Sequence, residues 1–150
     1  ASRQQSVYAA LEYLANQGVA YDDLIMIVDG DRPNVDPATV KASFEVAAKK
    51  GASVVAVPVT DSILLSSGGK KVDKYLNRDE VYAVQTPQTF AFSLIYEAHK
   101  KFADTKATDD ASLVSKLGKE VGIVKGNKDN IKITTPEDVV SYLSIIGRRI

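Results

Sequence analysis

An unbroken apolar run, Leu24-Ile25-Met26-Ile27-Val28, ends abruptly in Asp29-Gly30-Asp31-Arg32-Pro33. Such a run reads as a strand buried on both faces, the usual state at the centre of a parallel sheet. In open α/β sheets ligands sit outside the carboxyl ends of the strands. Asp29 therefore stands where a ligand or a metal would be met. The stretch is equally compatible with Asp29 and Asp31 capping the loop and Gly30 making a turn.

Around this strand the chain alternates helical and strand patterns. Val7, Leu11 and Leu14 fall at helical spacing within Ser6 to Ala15, and Gly18 closes that helix. Asp36-Pro37 is an N-cap followed by proline at the first helical position, and Lys49-Lys50 with Gly51 mark the far end. Ser53 to Val59 is a second apolar strand. Strand, helix and strand predict a right-handed βαβ unit with its two strands paired in parallel. Residues 60–78 differ. Ile63-Leu64-Leu65 and Val72 to Leu76 flank Ser66-Ser67-Gly68-Gly69-Lys70, a hairpin pattern. A two-stranded arm is marginal alone, so it is expected to lie on another surface, a second subunit or its own domain. Val81 to Gln85 is predicted as a strand, with a turn-like break over Thr86 to Phe90. Ser93 is predicted to cap the next helix. His99 on that helix has no acid at helical spacing and reads as solvated. Thr108-Asp109-Asp110 opens a short helix over Ala111 to Leu117. Strands are expected at Val121 to Val124 and Asn130 to Thr134. Thr135-Pro136 starts a last helix carrying Val139, Val140, Leu143 and Ile146. One domain over 1–150 is expected.

Composition narrows the chemistry. With 19 basic and 19 acidic residues, bulk charge does not favour a nucleic-acid partner. Cysteine is absent, and the single histidine excludes a histidine-clustered zinc site. No apolar run reaches membrane-spanning length and no signal peptide opens the chain, so a cytoplasmic location is expected. The polar residues that do not look like plain surface are Asp29, Arg32, Asp61, Arg78, Thr86, Gln88, Asp109, Asp110 and Lys132. One acid among several cations suits phosphate chemistry. Asp29 would hold a divalent cation through oxygen, and Arg32, Arg78 and Lys132 would neutralise phosphate charge. Lys132 alone would pass for a surface lysine on an edge strand. No Walker A pattern is present.

Five blocks in order carry a resemblance: Arg3-Gln4-Gln5-Ser6-Val7, Asp29 to Pro33, Gln85-Thr86-Pro87-Gln88-Thr89-Phe90, Thr108-Asp109-Asp110-Ala111-Ser112, and Asp129 through Asp138. Together they resemble the 2-C-methyl-D-erythritol 4-phosphate cytidylyltransferases of the non-mevalonate isoprenoid pathway. The ribitol-5-phosphate cytidylyltransferases are close relatives. The resemblance spans essentially the whole chain. It implies an α/β, Rossmann-like nucleotidyltransferase sheet with helices on both faces, a protruding β-hairpin arm that clasps a second protomer, and a homodimer. It also implies a magnesium-dependent reaction of CTP with a polyol phosphate, giving a CDP-polyol and pyrophosphate. By position, Ser6 would touch the cytosine end of the nucleotide and Asp29 would bind magnesium. Lys132 would hold phosphate oxygens at the reacting centre. Thr86 would contact the polyol phosphate. Arg32, Ser62 and Arg78 would reach its phosphate, the last two from the other protomer.

This chain departs from the family pattern in places. Val28 stands where a histidine is usual, Asp31 fills a position usually small, and Ser62 replaces a common threonine. The family's glycine-rich strand–loop–helix, with its arginine and lysine for the CTP phosphates, has no counterpart here. The chain is accordingly expected to be the C-terminal part of the enzyme and inactive alone. Ribitol 5-phosphate as acceptor, and a non-catalytic dimerisation or binding fragment, are the alternative expectations.

Overall fold

In the computed structural model, which describes residues 2–148, the Ser2 side chain accepts from the Gln5 amide and the Gln5 side chain answers to the Ser2 amide. This reciprocal cap starts helix α1 at Arg3 and carries it to Asn16. The start precedes the expected Ser6 and puts Arg3 in the first turn. Strand β1, Leu24–Ile27, is half-buried along its length, not enclosed on both faces. Helix α2, Pro37–Lys50, is capped by the Asp36 side chain and ends at Gly51, whose φ of +83° is a left-handed conformation that glycine adopts without steric cost. Strand β2 follows as Ala52–Pro58.

The expected parallel pairing of these two strands does not occur. Strand β5, Tyr82–Ala91, lies between them, antiparallel to both. The sheet order is β1-β5-β2-β6, where β6 is Gly122–Lys125 and runs parallel to β2. Nor does the chain break at Thr86. Strand β5 continues through it with a bulge: Val54 pairs with Gln88 but Val55 pairs with Gln85, leaving Thr86 and Pro87 as extra residues. Proline is tolerated in a central strand because the bulge needs no ladder amide there. The Thr86–Pro87 peptide is cis.

Alternation along β2 and β5 divides the helices between the two faces. On one face α2 docks through three buried hydroxyls. Ser43 Oγ is 2.9 Å from Ser53 Oγ and 2.7 Å from Thr89 Oγ1. On the other face Ala52, Val54 and Phe90 join Leu11 of α1 with side chains of α3, Phe92–Lys101, and α4, Asp110–Lys116. The start of α3 is not capped by Ser93. The amides of Phe92 and Ser93 instead donate to the carbonyls of Asp23 and Tyr21, so the loop before β1 serves as the cap.

The arm forms as a short hairpin, β3 Leu64–Leu65 against β4 Lys74–Tyr75, with all four residues exposed. Residues 130–134 are not a strand. Their backbone bonds to loops instead, as when the Ile133 amide donates to the Asp31 carbonyl at 2.8 Å. The last helix, α5, spans Pro136–Gly147 behind a Thr135–Asp138 capping box. It buries Ile145 and leaves Val139, Val140 and Leu143 exposed. Among the described residues no helix is long and apolar enough to cross a membrane.

Gly122 reports how tightly α2 sits. A Cβ there would lie 2.4 Å from Val46 Cγ1 and 2.9 Å from Lys50 Cδ. Gly122→Ala is expected to cost about 1–3 kcal/mol through overpacking, read by denaturant unfolding. An unchanged midpoint would show that α2 rides loosely on β6.

Candidate active site

The bulge in β5 organises the site. It brings the Thr86 hydroxyl to 3.0 Å from the Asp29 amide, which donates to it just beyond the end of β1. The Arg32 amide donates to the Asp29 carbonyl, closing the Asp-Gly-Asp-Arg turn. The Asp29 carboxylate is thereby fixed at its root, and three cations from three parts of the chain reach it. Arg3 Nε donates to Oδ1 at 3.0 Å. Arg32 Nε and Lys132 Nζ approach Oδ2 at 3.2 and 3.4 Å. Lys132 Nζ is also 3.8 Å from Asp31 Oδ2.

Burial opposes the Asp29 charge, but the hydrogen bonds and charges of Arg3, Arg32 and Lys132 outweigh it and hold the carboxyl below its ordinary value. A depressed carboxyl stabilises the fold above its unfolded-state pKa of 3.8 and loses that contribution as pH falls toward the folded value. Asp29→Asn is therefore expected to flatten the acid side of the stability–pH curve below about pH 4, measured by urea midpoints across pH. An unaltered acid limb would contradict this charge balance.

Backbone and amide contacts brace the cluster. Arg32 Nη1 donates to the Asn130 carbonyl at 2.7 Å, and Asn130 Nδ2 donates to the Thr86 carbonyl at 2.8 Å. Gln85 Nε2 donates to the Asn127 carbonyl at 3.0 Å. These bonds tie the loop bearing Lys132 to the bulge. Gly126 permits the close approach, since a Cβ there would stand 2.5 Å from Gln85 Oε1. On the other side Gln88 Oε1 accepts the Asp110 and Ala111 amides, and its Nε2 donates to Asp109 Oδ2. Gln88 thus joins the Asp109 side chain in satisfying the first amides of α4.

His99 is not solvated. It is 1% exposed, and its Nε2 lies 2.9 Å from Asp110 Oδ1. The acid it lacks at helical spacing comes from the next helix. Asp110 Oδ2 in turn lies 2.8 Å from Arg3 Nη1, a close ion pair without hydrogen-bond alignment.

Two cavities meet at this cluster. One, of about 230 Å³, is walled by Arg32, Thr86, Gln88 and Asp109. The other, of about 390 Å³, is walled by Ser6, Val7, Val28 and Asp31. Arg3, Asp29 and Lys132 belong to both. A cation-lined junction with one fixed carboxylate suits an anion, and phosphate esters above all.

Residues 1–148 match the family model described as 2-C-methyl-D-erythritol 4-phosphate cytidylyltransferase. The chain belongs to this cytidylyltransferase family. A relative from Bacillus cereus strain ATCC 14579, bearing the same description, is 44% identical over 142 residues, covering 93% of this chain and 60% of that protein. One from Bacillus cytotoxicus is 44% identical over 153 residues, covering 99% and 65%. The chain thus spans under two thirds of the length of these cytidylyltransferases. Among solved structures, the cytidylyltransferase of Thermus thermophilus superposes with a TM-score of 0.83 at 33% identity, over 99% of this chain and 70% of that one. The 4-diphosphocytidyl-2C-methyl-D-erythritol synthase of Anaerococcus prevotii gives 0.87 at 29% identity, over 98% and 65%. The expected nucleotidyltransferase fold is that of these neighbours.

Of the residues picked out from the cytidylyltransferase pattern, Asp29, Arg32, Thr86 and Lys132 come together, and Ser6 lines the adjoining cavity. Ser62 and Arg78 line neither. Arg78 donates to the Thr60 carbonyl at the base of the arm. Val28, in the usual histidine position, is exposed and faces the second cavity. Arg3, His99 and Asn130 had no assigned role. Asp110 and Gln88 stood out as polar residues without one. An arginine opening the first matched block was the available clue to Arg3.

Proposed function

We propose that the full-length protein transfers CMP from CTP to 2-C-methyl-D-erythritol 4-phosphate and releases pyrophosphate. The observation that supports this most is the junction of two cavities on the shared residues Arg3, Asp29 and Lys132. The nucleotide takes the Ser6 side, with Ser6 near the cytosine end. The polyol phosphate takes the other side, against Arg32 and Thr86. A phosphate oxygen of the polyol attacks the α-phosphorus of CTP. The bond from that phosphorus to the bridging oxygen breaks, and pyrophosphate carries off the electron pair. No proton-transfer group is needed at the attacking oxygen, which is already anionic. Positioning and charge neutralisation supply the rate. Lys132 holds phosphate oxygens at the reacting centre. Arg3 and Arg32 take up charge on either side.

The donor set also fits magnesium. Among the described residues no three acids or histidines cluster as a full protein cage. Magnesium usually takes only one or two carboxylates and completes its shell with substrate phosphates and water. Asp29 would be that carboxylate, with Asp31 beside it, whose Oδ1 is buried without a hydrogen-bond partner. When bound, the ion neutralises phosphate charge at the junction. The exposed hairpin suits a homodimer in which Ser62 and Arg78 serve the neighbouring copy's polyol phosphate. A cytoplasmic location accords with this substrate chemistry.

The test is pyrophosphate release by the full-length protein from CTP and magnesium, with methylerythritol phosphate and ribitol 5-phosphate in parallel. Turnover preferring the first supports the reading. Preference for ribitol phosphate moves the acceptor. Silence with both, from folded protein, overturns catalysis in favour of a binding module.

A further inference from the structure

We propose that His99, acting through Asp110, is a positioning residue that holds the Arg3 guanidinium across the junction of the two cavities. The inference rests on the cytidylyl transfer proposed above. Its geometry is a chain of three contacts running from the core to the site. His99 Nε2 stands 2.9 Å from Asp110 Oδ1. Arg3 Nη1 stands 2.8 Å from Asp110 Oδ2. Arg3 Nε donates to Asp29 Oδ1 at 3.0 Å.

Each link is held from outside the chain of contacts. Asp110 is 1% exposed, and its amide is fixed by Gln88 Oε1. The His99 ring lies nearly parallel to the Tyr8 ring, 6.3 Å between centroids and 7° between planes. Its Nδ1 is buried and has no hydrogen-bond partner. Nε2 faces a carboxyl oxygen, so Nε2 is the ring nitrogen that donates. The arrangement therefore places a proton on Nε2, donating to Asp110. Asp110 keeps its orientation, and Arg3 is gripped between two acids, not one. Asp29 alone could let the arginine swing about a single bond. Two acids on different elements fix its plane, and Arg3 lines both cavities. A small displacement of an aligned group near the reacting phosphorus costs rate more than binding.

The experiment compares His99→Leu and His99→Gln with wild type in the full-length protein. His99→Leu removes the donor and is expected to lower kcat about 10- to 100-fold with little change in either KM. His99→Gln returns an amide donor near Nε2 and is expected to recover most of that loss. Nitrogen-15 spectra give an activity-independent readout, and His99 is the only histidine in these 150 residues. A proton on His99 Nε2, and a slowly exchanging Arg3 Nε–H that is lost in His99→Leu, are expected. Wild-type kcat in His99→Leu, a proton on Nδ1 but none on Nε2, or an Arg3 signal indifferent to position 99 would each overturn the proposal. Should His99→Leu not fold, His99→Gln and the wild-type spectra decide. Should wild type fail to transfer CMP, the functional reading falls, while the spectra still test the positioning.

Discussion

Lys132→Ala in the full-length protein is expected to lower kcat by about 10²- to 10³-fold, the usual cost of removing one preorganised donor from a developing charge. Lys132 brings its ammonium to both Asp29 and Asp31 and lines both cavities. Among the described residues no other lysine contacts Asp29. Fold stability should barely change. The side chain is 38% exposed, and partly solvated pairs contribute about 0–1 kcal/mol. The loop carrying it is held by Asn130 and Ile133, not by the lysine itself. Lys132→Arg should recover part of the rate, since it restores charge with a different donor geometry. Steady-state kinetics beside thermal melts separate the two effects. Activity within about tenfold of wild type would remove Lys132 from the reacting centre.

The second large effect concerns stability. Asp110→Ala is expected to destabilise the fold by about 3–5 kcal/mol, because one partner of a buried charged network is deleted while the others remain. His99 would keep a buried ring with no acceptor for its proton, and Arg3 would lose one of its two acids. For a chain of this size the melting temperature should fall by roughly 10 °C. Asp110→Asn should lose less, since its carbonyl still accepts from His99. Wild-type stability in Asp110→Asn would show that the carboxylate charge contributes nothing, contrary to the Arg3 contact, and equal losses in both variants would show the same of the His99 hydrogen bond.

Local chemistry made much of the fold legible. Asp36-Pro37, Thr135-Pro136 and Gly51 act on the backbone within one turn of their own positions, and each marks a helix end where expected. Asp29, Arg32 and Lys132 stand out in the sequence by residue type and position, and the fold brings them together. The remainder depends on contacts between distant segments. Helical spacing compares residues on one element, so it could not pair His99 with an acid on the next helix. The apolar run at β1 has the same composition whether strands pair parallel or antiparallel, and its true neighbour, residues 88–91, lies far along the chain. Thr86-Pro87 resembles a turn because proline breaks a ladder. Only the slip between Val54 and Val55 shows that the strand absorbs it. In α5 the spacing found an apolar stripe, yet Val140 and Leu143 face outward.

Strand β5 also dictates the order in which this molecule can assemble. Strands β1 and β2 are synthesised before β5, and they run in the same direction with a strand-wide slot between them. Neither can close on the other in the native register. Until residues 82–91 arrive, each presents an unpaired inner edge of the kind that recruits foreign strands. The insertion then joins the two strands and brings Gln85, Thr86 and Gln88 to the junction together. A nascent chain ending before Tyr82 therefore has open inner edges and no site, and one ending after Ala91 still awaits β6 on the far side of β2.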